Sequence, residues 1–172
     1  MTTCPGCGVT LPVAASAPDP PDDVTSAECW QLYGEVIAYG MAHPAELGRW
    51  LQTTTDAYRL QHLSSSTPLI TTAFGLNSLY LVFERGFTGL QAREAHGYLA
   101  NTVDSWPTFE LSSPVTYSMT VFDVAMADSP AEHAELVVKW GASVWAQWAP
   151  VHDEIAEMTD RQLTGWHPKV KG

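Results

Sequence analysis

An all-α domain, a bundle of five to seven helices with a small N-terminal zinc knuckle, is the fold this sequence predicts, on three observations. Cys4-Pro5-Gly6-Cys7-Gly8 has the C-x₂-C spacing of half a zinc site, with small residues that let the backbone turn both sulfurs toward one ion. Beyond Thr25, apolar residues recur at three- and four-residue spacing behind capping signals. No stretch alternates apolar and polar residues as a half-buried strand does.

A chain of 172 residues suits one domain with a single core, and 45% hydrophobic content with 7 Trp, 6 Tyr and 5 Phe is enough to pack it. Eight basic against 19 acidic residues give a net charge of −11, which repels nucleic acid and anionic lipid. Neither is an expected partner. No apolar run approaches the ~20 residues of a membrane span, and the N-terminus lacks a signal-peptide pattern, so a cytoplasmic location is expected. In a reducing compartment three cysteines are better explained as metal ligands than as a disulfide with a spare thiol.

The expected order is a knuckle over residues 1–13, a linker over 14–24, the helical bundle over 25–163 and a fraying tail over 164–172. The linker follows from Pro18, Pro20 and Pro21 among three Asp. Thr25-Ser26-Ala27-Glu28 reads as a capping box for the first helix, with Trp30, Tyr33, Ile37 and Met41 on one face and Cys29 in the first turn. There the helix dipole favours a thiolate. His43-Pro44 ends this helix and opens a second, whose face carries Leu47, Leu51, Thr54, Tyr58 and His62. A third starts after Thr67-Pro68 and is apolar on nearly every side until Gly86, which makes it the central buried helix.

Thr88 can cap a shorter helix from Gly89 to about Asn101, with His96 expected at the surface. Residues 104–118 mix Pro107, Pro114 and serines with Trp106, Phe109, Leu111 and Tyr117, as a loop strapped across the bundle would. Thr120 to Asp123 is a second capping box, and Ser129-Pro130-Ala131-Glu132 opens the longest helix, striped by Trp140, Val144, Trp148, Ile155 and Met158. Pro150 should bend that helix, because its ring clashes with the carbonyl of Ala146 and leaves it without a donor.

Five motifs in this order resemble the bacterial family of unknown function DUF5946. They are Cys4-Pro5-Gly6-Cys7-Gly8; Cys29-Trp30 with Tyr33-Gly34-Glu35; Asp56-Ala57-Tyr58 with Gln61-His62; Glu84-Arg85-Gly86; and Trp140 with Ser143-Val144-Trp145 and Trp148 through His152. The resemblance runs from Cys4 to about Met158 and implies a shared fold and a metal site, but no reaction. The family pattern has histidine and leucine where this chain has Gly75-Leu76. The bare backbone at Gly75 is then either room for a ligand or a place where an aromatic packs.

A closed site would take Cys4, Cys7, Cys29 and one further ligand, and that donor set is the common one for structural zinc. His62 is the first choice for the fourth ligand, since its helix must lie close to the first; His152, His133 and His43 are alternatives. Tyr58 and His62 share a helical face, whereas Asp56 and His62 are about 120° apart around it. A proton-transfer set of His152, Tyr58 and Asp56 beside a pocket walled by Gly75, Trp145 and Trp148 would make the protein an enzyme acting on a small apolar molecule, as in specialised metabolism. A non-catalytic module binding a small molecule or a protein is the other reading. The chain has no glycine-rich phosphate loop, G-x-S-x-G elbow or H-E-x-x-H motif, which argues against nucleotide hydrolysis, serine hydrolysis and zincin proteolysis.

Overall fold

A two-stranded hairpin, β1 (Thr2–Thr3) paired antiparallel with β2 (Thr10–Leu11), brackets the cysteine turn at the start of the chain. The computed structural model describes residues 1–111 and 115–171; Pro114 of the expected strap and Gly172 of the tail lie outside them. Helices follow as α1 (Ala27–Ala42), the single turn α2 (Pro44–Leu47), α3 (Leu51–Gln61), α4 (Leu69–Phe83), α5 (Gly89–Thr102), α6 (Val121–Ala125), α7 (Pro130–Gln147) and α8 (His152–Gln162). Among the described residues, then, seven helices exceed one turn, and the all-α bundle stands. No helix among them is long and apolar enough to cross a membrane.

The cap of α1 is Ser26, one residue later than expected: its hydroxyl accepts from the Cys29 N–H at 3.2 Å. Glu28 is thereby free to accept from the Ala14 N–H, tying the linker to the helix. Residues 44–61 form α2, a 3₁₀ turn at Gly48–Trp50 and α3 rather than one helix, consistent with the low helix propensity of Gly48. Of the two predicted capping boxes, Thr120 with Asp123 forms and Thr25 with Glu28 does not, and Thr88, expected only as a cap, makes a full box with Gln91.

At the centre lies α4, with Leu76, Leu79 and Leu81 buried and α3, α5, α7 and α8 packed around it. Its Asn77 accepts from Thr159 of α8 at 2.6 Å, a polar rivet inside an apolar interface. Pro150 does more than bend the long helix. α7 stops at Gln147, where the Trp148 N–H turns back to Trp145, and the chain passes through a 3₁₀ turn, Ala149–Val151, into α8.

Two other segments are held more firmly than their composition suggests. His96 is buried, stacked on Phe74 at 4.4 Å and donating from Nε2 to the Phe74 carbonyl at 2.9 Å, which corrects the surface placement; burial drives its pKa down to about 4. The tail lies on α5 instead of fraying: Glu94 accepts the N–H groups of Lys169 and Val170, and Trp166 packs between Phe87 and Tyr98. The strap is pinned at the end of α3, where the Tyr117 hydroxyl donates to the Leu60 carbonyl and Gln61 donates to the Met119 carbonyl.

Candidate metal centre

Three separate pieces of chain bring four donors to one point. The hairpin turn supplies Cys4 and Cys7, the first turn of α1 supplies Cys29, and the residue ending α3 supplies His62. All four are buried, and their ligand atoms lie within 4.8 Å of one another. The fit to a metal can be tested on edge lengths. A tetrahedron with metal–sulfur bonds of about 2.3 Å and a metal–nitrogen bond of about 2.05 Å has S···S edges near 3.8 Å and S···N edges near 3.6 Å. Here Cys7 Sγ lies 3.8 Å from Cys29 Sγ, and His62 Nε2 lies 3.4 Å from Cys4 Sγ and 3.5 Å from Cys29 Sγ. These three edges match those of one tetrahedral ion, and no two sulfurs are bridged.

The surroundings prepare three of the four donors. His62 Nδ1 donates to the Tyr58 carbonyl at 2.7 Å, which fixes the tautomer and leaves the Nε2 lone pair facing the sulfurs. The Ser26 N–H points at Cys4 Sγ at 3.5 Å. The Tyr58 hydroxyl, whose pKa is driven up by burial and by Cys29, stays protonated and donates to Cys29 Sγ at 3.6 Å. Gly6 lets the turn close on α3. A Cβ there would stand 2.7 Å from His62 Cδ2 and 2.8 Å from the carbonyls of Gln61 and Val24. The left-handed conformation of Gly8, at φ 79°, completes the turn.

Electrostatics points the same way. Without a cation, hydrogen bonds from Cys29 and Cys7 pull the Cys4 thiol far down, while the presence of Cys4 and Cys7 pushes Cys29 far up. His62 is opposed by burial, yet the neighbouring thiols of Cys4 and Cys7 raise it to about 9. The cluster can therefore hold one negative charge easily and resists a second, which is the condition a bound dication relieves.

The other candidate residues do not gather into one site. His152 lies flat on Trp145, with ring centroids 3.7 Å apart, and shares a hydrogen bond with the Trp145 carbonyl at 3.0 Å. Trp145 in turn donates to Glu84 at 2.9 Å. The Glu84-Arg85 and Trp145 to His152 motifs thus meet one another, with Arg85 bonded to Asp160 and Tyr80, and not the metal centre. At Gly75, read as either room for a ligand or a place where an aromatic packs, the backbone is met by Leu60, whose Cγ would lie 2.9 Å from a Cβ there. Trp148 lines a cleft of about 500 Å³ bounded by the knuckle turn, the end of α3 and the strap. Of the alternative ligands, His43 bonds the Tyr39 carbonyl and His133 lies 5.2 Å from the ring of Tyr39.

Asp56 is wholly enclosed, with both carboxylate oxygens bonded by the Gln52 amide at 3.0 and 2.9 Å. Burial pushes it up to about 7, against the pull of Ser78, Gln52 and Arg59. Its folded pKa lies above the unfolded value, so the folded chain keeps a proton that the unfolded chain has lost, and stability falls as pH rises from about 4 to about 7. Asp56→Asn is accordingly expected to stabilise the protein at pH 8 by roughly 1–3 kcal/mol and to leave it unchanged near pH 4. Equal melting temperatures for variant and parent across that range would contradict this.

Gly6, Tyr33 and Gln61 escaped the reading of single residues as site members. Tyr33 stands one turn beyond Cys29 and stacks on Tyr58 at 4.0 Å, a relation visible in the spacing. Gln61 joins the Trp140 indole, at 3.0 Å, to the strap; nothing local in the sequence announces that link.

No curated protein and no solved structure matches this chain. The three N-terminal motifs converge on the metal centre and the two C-terminal ones on the Glu84, Trp145 and His152 cluster, and the model of the family of unknown function DUF5946 matches residues 2–149, so the chain belongs to that family.

Proposed function

We propose that the protein is a zinc-stapled helical module that binds a small molecule without transforming it, the metal being structural. One observation carries the reading: three cysteine sulfurs and one imidazole nitrogen, all buried, lie within 4.8 Å of one another, which is enough donors to close a tetrahedral shell without substrate or water. The soft S₃N donor set and its edge lengths favour Zn²⁺. Unbridged thiols suit a reducing compartment, which supports a cytoplasmic location.

The alternative, a specialised-metabolism enzyme using His152 with Tyr58 and Asp56, has less support. The Tyr58 hydroxyl is committed to Cys29, the Asp56 carboxylate to Gln52 and His152 to Trp145. Substituting Co²⁺ for the native metal tests the closed site. The expected visible spectrum is that of a tetrahedral thiolate complex, unchanged by azide or cyanide. A spectral shift on adding either anion would reveal an open position and contradict the proposal.

A further inference from the structure

The second face of the metal centre opens on a cleft of about 380 Å³ between the linker, α1, the end of α3 and the turn into α4, toward the small end of the volumes that hold organic ligands. We propose that this cleft binds a small aromatic carboxylate, its carboxylate on Arg59 and its ring against the aromatic wall. The assignment rests on reading the chain as a binding module.

The wall is a column of rings. Trp30 stacks on Tyr33 at 5.4 Å, Tyr33 on Tyr58 at 4.0 Å and Tyr58 on the metal ligand His62 at 4.1 Å. The phenol groups are directed away, Tyr33 to Thr55 and Tyr58 to Cys29, so what lines the cleft is ring surface. A flat apolar body fits that surface.

Charge selects the other end of the ligand. Arg59 lines the cleft, and among the described residues it makes neither of the two ion pairs, which join Arg85 to Asp160 and Arg161 to Glu157. An unpaired guanidinium is a planar fork matched to a carboxylate. The hydroxyls of Ser64, Ser66 and Thr67 cluster beside it, and α4 begins there with no side chain capping its first N–H groups. Asp22 is the acidic residue of the lining, and its Oδ1 already accepts the Val24 N–H at 3.2 Å. A cationic ligand is disfavoured on two counts. Arg59 would repel it, and the rings stack on one another instead of opening as a cage.

Calorimetric titration of the full metal-loaded chain with phenylacetate, benzoate, phenyl phosphate and neutral phenylacetamide tests the assignment. Phenylacetate should bind about tenfold or more tighter than the amide, and Arg59→Gln should erase that difference without changing the affinity for the amide. Trp30→Ala should weaken both. Arg59 is exposed, so metal content and melting temperature of its variant should match the parent. No binding by any of the three acids, equal binding of acid and amide, or an Arg59→Gln variant that holds phenylacetate as well as the parent would each overturn the proposal. A strong preference for phenyl phosphate would overturn the carboxylate assignment. The two readings can fail separately. Absence of acid binding with an azide-insensitive Co²⁺ spectrum removes only the cleft's ligand, and acid binding with an azide-sensitive spectrum removes only the closed site.

Discussion

Cys7→Ser is expected to release the metal and to lower the melting temperature by roughly 10 °C or more. Cys7 is buried at 4% exposure, and its Sγ forms one edge of the tetrahedron with Cys29. A hydroxyl there is a poor ligand, and the remaining two thiols and imidazole cannot hold the ion with comparable affinity. Structural zinc contributes apparent binding energy on the order of 10 kcal/mol, and an ion held by donors from the hairpin, α1 and α3 would contribute part of it as folding energy. Losing even about 3–5 kcal/mol of it shifts a domain of this size by the stated amount. Heat denaturation followed by circular dichroism, with and without chelator, checks the claim. The parent treated with chelator should melt like the variant, and the variant should ignore chelator. A variant that keeps its metal, or melts with the parent, would contradict it.

Gly75→Leu should destabilise the fold by about 1–3 kcal/mol and lower the melting temperature by roughly 3–10 °C. The first added carbon already lies 2.9, 3.1 and 3.2 Å from three carbons of Leu60, and three more carbons must follow it into the same interface between α3 and α4. Leu60 itself is buried at 1% exposure and has little room to retreat. Because one contact is responsible, adding Leu60→Ala should recover part of the loss, and the double variant should be more stable than the sum of the two single changes implies. Additive losses would mean that the two side chains do not compete. A stable Gly75→Leu protein would show open space on that face of α4.

The contrast between these two positions shows what the sequence can and cannot reveal. Cys4, Cys7 and Cys29 were legible as members of one cluster because thiol spacing and a helix's first turn are local chemistry. His62 followed from the short connection that brings α3 beside α1. Helix starts at Ser129, Thr88 and Thr120 were legible for the same reason, since a cap and its partner lie within one turn. What fills the hole at Gly75 was not, because Leu60 comes from another helix and periodicity says nothing about which side chain meets which. His96 misled through its flanks: Glu94 and Gly97 look exposed, yet the imidazole finds the Phe74 carbonyl and ring across an interface. Pro150 was read correctly as a disruption and underestimated in degree, since it could not be foreseen that the chain would take a 3₁₀ turn before resuming as α8. The tail docks because Trp166 meets Phe87 and Tyr98 while Glu94 accepts the Lys169 and Val170 N–H groups, long-range pairings with no local signature.

The central claim is that one zinc ion is held by Cys4, Cys7, Cys29 and His62 in a closed shell. X-ray absorption of the purified protein at the zinc edge, with metal content measured on the same sample, tests it most directly. The account predicts one zinc per chain, three sulfur neighbours at about 2.3 Å and one nitrogen at about 2.0–2.1 Å. A metal-free folded protein with three titratable thiols, or a shell containing oxygen in place of a thiolate, would contradict it.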